Sequence, residues 1–191
     1  MKVELIDYTK DAEQKISEFA GICYDSKGAN VKRLKADGHL ATFRFAYATF
    51  KVSGVSRACA MQMLRHKFLE FLMRSQRYCK ETDFDYVIPK TVQYDNEDAW
   101  DAFSLAMIQS EQRYNDLLNA GIKAEDARYV LPNACVTEFF VTGNFQAWYD
   151  FLYGKAGRLQ KAAQWEIKTV AQDIEAELST ISPTIFGVTE R

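Results

Sequence analysis

The sequence predicts an α+β fold in one domain, residues 1–191, with helices packed on a modest sheet. Three observations carry that expectation. Alternating aromatic and β-branched residues mark strands around residues 43–50 and in CVTEFFVTG, residues 135–143. Apolar residues recur at helical spacing over 95–120 and 161–178. No repeat, low-complexity run or linker divides the 191 residues.

In chain order, KVELID (2–7) reads as a first strand. Asp11 opens an amphipathic helical pattern through Ile16, Phe19, Ala20 and Cys23. SKGANVKRLKADG (26–38) is a polar interlude with room for a short helix. From His39, Phe43, Phe45, Tyr47 and Thr49 alternate with Arg44, Ala46, Ala48 and Phe50, which predicts a long strand that Gly54 breaks. Ser56 can cap a helix running to about Arg65. MRSQRY (73–78) reads as extended, and DFDYVIPK (83–90) as a loop punctuated by Pro89. Trp100, Phe103, Met107, Tyr114, Leu117 and Leu118 space a helix over Asp95–Ala120, with Gly121 as its stop. Glu125–Leu131 gives a further helical turn or two before Pro132. CVTEFFVTG is a strand, NFQAWYDFLYG (144–154) a helix, and Lys161–Leu178 an amphipathic helix. Trp165 and the aromatics of WYDFLY belong to packing or subunit contact, because aromatics at helical spacing usually face a core.

Composition narrows the function classes. Residues are 48% hydrophobic, 26% charged and 14% aromatic, which supports a sizeable core. A formal charge of -2 disfavours a general nucleic-acid coat or an anionic-membrane binder, so any anion must meet a local pocket. No segment has the apolar length of a signal peptide core or a membrane span, and the expected address is cytoplasmic. Cys23, Cys59, Cys79 and Cys135 are scattered without a CxxC pair and read as free buried thiols. His39 and His66 are the only histidines, too few for a histidine-rich metal centre. Glycine-rich phosphate loops and a GxSxG elbow are absent, so phosphate must be held by side chains. Glu125-Asp126 reads as solvated, helix-starting ground.

RHKFLEFLMRSQRY (65–78) breaks this acidic balance. Residues 57–80 hold six Lys/Arg (Arg57, Arg65, Lys67, Arg74, Arg77, Lys80) against Glu70, in a chain of 24 bases and 26 acids. Helical spacing would place Gln62, Arg65 and His66 on one face, and strand spacing would point Ser75 and Arg77 the same way. Guanidiniums fork onto phosphate oxygens, and an amide can pair with a base edge. A solvated basic face and a satisfied interior histidine remain the alternatives, with the local excess favouring an anion pocket.

Arg65-His66-Lys67, followed after seven residues by Ser75, resembles the RHR…S signature of flavin-dependent thymidylate synthases. SRACAMQMLRH is similar to that family's run from Ser-Arg to Gln-x-x-Arg-His, through Ser56, Arg57, Gln62, Arg65 and His66. ARYVLP resembles its Ala-Arg-x-x-Leu-Pro and places Arg128. TEFFVTGN resembles Thr-x-x-x-x-Thr-x-Asn and places Thr137, Thr142 and Asn144. RLQKAAQWEI resembles Arg-x-x-x-x-Ala-Gln-x-Glu-Ile and places Arg158. These motifs are collinear over most of the chain. The resemblance implies conversion of dUMP to dTMP with FAD, methylenetetrahydrofolate and NADPH. It implies that Gln62, Arg65, Ser75, Gln76, Arg77, Arg128 and Arg158 bind dUMP, with Arg158 the catalytic group at the uracil. Arg65, His66, Lys67 and Asn144 would contact FAD, joined by His39 from a neighbouring subunit. The implied assembly is a homotetramer with shared active sites, without nucleic acid, membrane or metal. The implied fold is a twisted, mostly antiparallel sheet flanked by helices. No cysteine falls in a motif for a nucleophile.

Several positions depart from the family pattern. Lys67 replaces an arginine and keeps charge without the bidentate fork. Met73 stands where an acid is usual. Ala41, Arg44 and Phe45 stand for a hydroxyl residue, Glu and His, and Gln146 for an arginine. FLYGKAGR is longer than usual, which leaves Lys155 as a rival to Arg158; the retained spacing to Ala163-Gln164 favours Arg158. These departures touch the flavin and inter-subunit side. They keep open a flavin enzyme making another 5-substituted dUMP, such as a hydroxymethyl product, or a nucleotide-binding oligomer that has lost FAD.

Overall fold

The structure is a computed structural model describing residues 1–95 and 97–187. Strands β1 (Lys2–Tyr8), β2 (Tyr47–Ser56), β3 (Leu69–Met73) and β4 (Val136–Asn144) form one antiparallel sheet in the order β1-β2-β4-β3. The helices are α1 (Ala12–Gly21), α2 (Val31–Ala36), α3 (Arg57–Met63), α4 (Lys90–Asp95), α5 (Glu97–Asn119), α6 (Ala124–Ala127), α7 (Phe145–Tyr153), α8 (Trp165–Ile181) and α9 (Pro183–Phe186). The predicted α+β class is what the chain adopts. Two compact units can be distinguished. One comprises Met1–Val52, Gln62–Leu72 and the chain from Phe139 onward; the other comprises Ser53–Met61 and Met73–Glu138.

The first unit is organised by period two in its strands. Ala48, Phe50 and Val52 of β2 and Phe139 and Val141 of β4 are buried, while Tyr47, just before Ala48, and Phe140, between Phe139 and Val141, are exposed. α7 covers the buried face. Its Trp148 is fully buried, donates its indole N–H to Ala48 O at 3.0 Å, and meets the Phe50 and Phe151 rings edge-on. Asn144 ends β4 and caps α7, its side-chain oxygen accepting from Ala147 N at 2.9 Å. α8 buries Ile167, Val170, Ala171, Ile174 and Leu178 along one stripe. Glu13 of α1 closes the unit by accepting from the Ser182 hydroxyl and from Thr184 N at the start of α9.

The second unit is built around α5, whose Met107 and Tyr114 are buried. The Tyr114 hydroxyl accepts from Glu81 N at 3.2 Å, and Tyr86 pairs as an isolated bridge with Cys135. Ser56 caps α3 as expected, accepting from Cys59 N at 3.0 Å.

Several predicted elements differ. The strand expected from His39 is a 3-10 helix over Leu40–Phe45 before β2 begins at Tyr47. Phe43 and Ala46 are buried while Phe45 is 63% exposed, so burial follows a three-residue step there and alternation begins only at Ala46. β2 passes through Gly54, at φ +70, and ends at Ser56 instead of breaking. The helix expected over Asp95–Ala120 is found as α5, preceded by the unexpected short helix α4, and Asn96 between them lies outside the described residues. Of the cysteines, Cys59 and Cys135 are buried and Cys79 half-buried, but Cys23 is exposed on the 3-10 turn that follows α1. Among the described residues no helix is long and apolar enough to cross a membrane.

Trp148→Ala removes the largest side chain of this core together with its hydrogen bond. The expected cost is about 3–5 kcal/mol, read as a lowered denaturant midpoint at unchanged slope.

Candidate active site

The basic stretch is a turn, a short strand and a second turn. α3 ends at Met63 and His66 N donates to Met63 O at 3.0 Å, so Arg65 and His66 lie beyond the helix and the expected shared face with Gln62 does not form. The chain must reverse here to deliver Leu69 into β3 against Gly143. There a Cβ would lie 3.3 Å from Phe68 O and closer still to Leu69 Cδ2. Phe68 makes the reversal with φ +67, a region that favours glycine, and leaves its ring 73% exposed. Ser75 and Arg77 likewise do not share a strand face. β3 stops at Met73, and Cys79 N and Tyr78 N both donate to Ser75 O, closing a turn.

In the first unit, the Arg158 guanidinium donates Nε–H to His66 Nε2 at 2.7 Å and Nη2–H to Gln62 O at 3.3 Å. The His66 ring stands edge-on to Phe151 with centroids 4.9 Å apart. Burial, reinforced by the Arg158 charge, pushes the His66 imidazole down to about 4, so the ring is neutral near pH 7. The backbone of Arg158 is pinned as firmly. Arg158 N donates to Phe151 O at 2.7 Å and Leu159 N to Leu152 O at 3.2 Å, which satisfies carbonyls at the end of α7. The helix predicted from Lys161 begins at Trp165 instead, because the Gln164 side chain caps it, accepting from Glu166 N and Ile167 N. The Arg158-to-Gln164 spacing is therefore a turn closed by a helix cap. Lys155 is exposed to solvent.

Arg65 and Lys67 flank His66, both exposed, and neither forms an ion pair among the described residues. Such cations suit a diphosphate, which is the test the FAD expectation meets on this turn. The Asn144 side-chain oxygen is committed to its cap, leaving the amide as a donor. His39 is exposed at a concavity of about 380 Å³ shared with Tyr24, Asn30, Arg33 and Asp37. Among the described residues, no hydrogen bond, ion pair or ring contact joins its side chain to the Arg158 cluster. Two departures from the family pattern meet each other: Arg44 Nε donates to Gln146 Oε1 at 2.6 Å. Positions 102 residues apart gave no sequence sign of that pairing.

In the second unit, Arg77 Nε donates to Glu125 Oε2 at 2.6 Å and Arg128 Nε to Glu125 O at 2.9 Å. Two of the predicted phosphate-binding arginines thus converge on one residue. Glu125, read from sequence as solvated ground, is their common anchor, and the hydrogen bond from Arg77 holds its carboxyl below the usual range. The Ser75 hydroxyl accepts from Arg77 N at 3.2 Å. Gln76 is buried, with its amide 3.7 Å from Cys135 Sγ. Burial, the larger cause, and the Glu81 charge push the Cys135 thiol up to about 11.

An α+β chain whose guanidiniums cluster in side-chain networks, with no glycine-rich loop in its sequence, has the donors that a side-chain anion site would need. A family model described as thymidylate synthase complementing protein matches residues 4–184. Flavin-dependent thymidylate synthases from Geobacter sulfurreducens and Clostridium tetani are 33% and 30% identical to the chain, each over 97% of it and 85% of their own length. One from Mycobacteroides abscessus is 33% identical over 95% of the chain and 82% of its own. The chain belongs to the flavin-dependent thymidylate synthase family, a family of enzymes.

The depressed His66 carries a pH signature. Between about 6.5 and about 4 the unfolded chain takes up a proton that the folded ring refuses, so stability falls as pH falls through that window. His66→Gln is expected to flatten that part of the stability-against-pH curve, measured by denaturant titration at each pH.

Proposed function

We propose that this chain methylates dUMP to dTMP, with methylenetetrahydrofolate as one-carbon donor, FAD as the hydride-carrying cofactor and NADPH as reductant. It acts in the cytoplasm as one catalytic domain, residues 1–191, assembled into a homotetramer with shared active sites. The observation that carries this reading is Arg158. A guanidinium oriented by a neutral imidazole and a backbone carbonyl supplies a fixed positive charge, which is what a uracil gaining electron density requires.

Binding is divided among groups of distinct chemistry. Arg77 and Arg128, gathered at Glu125, supply forks for the nucleotide phosphate, with Ser75 as a hydroxyl beside them. Gln62, Arg65 and Gln76 complete the dUMP set. Arg65, His66 and Lys67, with Asn144 and a neighbouring subunit's His39, hold FAD. The flavin, when bound, supplies hydride and one-carbon transfer, chemistry that side chains lack. The protein orients the uracil and stabilises charge on it through Arg158. No cysteine attacks the base in this reading. The burial of Cys59 and Cys135, and a Cys135 thiol held protonated, support that.

Protein incubated with FAD, NADPH, methylenetetrahydrofolate and dUMP should yield a nucleotide of dTMP mass. Unchanged dUMP under a bound and reduced flavin refutes the assignment, and a hydroxymethyl mass redirects it to the other 5-substituted product. Arg158→Ala should lower kcat by roughly 10²–10³-fold, the usual cost of deleting one charge-stabilising donor, with flavin absorbance retained. Lys155→Ala should leave kcat near wild type; the opposite result moves the catalytic role to Lys155.

A further inference from the structure

We propose that His66 is a positioning residue for Arg158: its Nε2 lone pair holds the guanidinium in the plane from which it meets the uracil. This rests on the role of Arg158 proposed above and adds to the flavin contact that the family motif gives His66. The geometry is specific. Nε–H points at Nε2 from 2.7 Å and Nη2–H at Gln62 O from 3.3 Å, so two acceptors grip one edge of a planar group. Gripping one edge fixes the plane and sets the direction of the opposite edge.

The choice of acceptor matters. Guanidiniums are usually oriented by carboxylates, which also cancel their charge. An imidazole that accepts at Nε2 must be neutral, with its proton on Nδ1. As an acceptor it adds no negative charge of its own beside Arg158, as a carboxylate would. The environment enforces that state. The ring is half-buried, and Phe151, the α7 residue it meets, carries no charge. Arg158 approaches from the turn after α7, and the flanking Arg65 and Lys67 of its own turn are also cationic. Every charge named around the ring opposes a second proton on it. A histidine serving only to fill space would work equally well as leucine.

With His39 and His66 as the only histidines, long-range ¹H–¹⁵N spectra of the full-length protein separate the two rings by variant subtraction. Wild-type His66 should sit in the Nδ1–H form across the neutral range. In Arg158→Met its titration should move up towards the ordinary histidine value. Kinetics supply the second arm, at FAD levels shown by absorbance to saturate each variant. His66→Leu should lower kcat by roughly 10- to 100-fold, the scale of a misoriented catalytic group. His66→Gln, whose amide oxygen can stand near the Nε2 position, should recover most of that loss. A wild-type ring protonated on Nε2, or flavin-saturated His66→Leu turning over at the wild-type rate, overturns the proposal. The nitrogen shifts decide the contact even where His66→Leu fails to fold. Full turnover in Arg158→Met would instead sink the role of Arg158 itself, and with it any catalytic meaning of the pair.

Discussion

The seat of α7 on the sheet is the constraint from which the Arg158 cluster follows. Trp148 locks the helix to Ala48 O of β2, and Asn144 makes the last residue of β4 the cap of the same helix. Rotation and starting point are thereby both fixed. The far end of the helix then has carbonyls to satisfy, and the chain after it folds back to do so through the amides of Arg158 and Leu159. Arg158 is thus held by main-chain bonds before its side chain finds His66. Phe151, one turn from Trp148, supplies the apolar wall that keeps the imidazole unprotonated. The buried Trp148 and the placement of the Arg158 guanidinium are consecutive consequences of one packing decision.

Charge is handled differently in the two units. Beside His66, Arg65 and Lys67 are exposed without ion pairs among the described residues, and one acceptor of Arg158 is a neutral imidazole. Around Glu125 the arginines are gathered on an acid and its carbonyl. Exposed pairs of that kind contribute little stability, so the value of Glu125 lies in geometry. One arrangement sets cations beside a neutral ring, and the other keeps two forks together, in a chain whose formal charge is slightly negative.

Much of this was legible in the sequence where local pattern and tertiary burial agree. β4 alternates cleanly because successive side chains point to opposite faces of the sheet and one face is buried, and α7 and the body of α8 show helical stripes because one face of each meets the core. Gly121 stops its helix at φ +85, as its freedom from a Cβ allows. The misreadings cluster where aromatic spacing is ambiguous or where the chain turns. Phe43 and Phe45 satisfy alternation on paper, yet only Phe43 is buried. The residues Arg65, His66, Ser75 and Arg77 were identifiable from their motif, but their mutual geometry was not. That geometry depends on Leu69 seating against Gly143 and on a phenylalanine accepting a left-handed backbone, neither of which periodicity reports. Glu125 and the Arg44–Gln146 pair were invisible for a simpler reason: contacts between residues so far apart in sequence leave no local trace.

The strand order has a consequence for biosynthesis. β4 lies between β2 and β3, so β3 has no neighbour until residues 136–144 exist. During translation the cationic turn and its edge strand emerge early and stay without a template while some sixty further residues are added. Arg158 arrives later still. A chain cut short before β4 would display the entire basic stretch with nothing to shape it, so translation must run well into the last third of the message before the surroundings of that stretch can form.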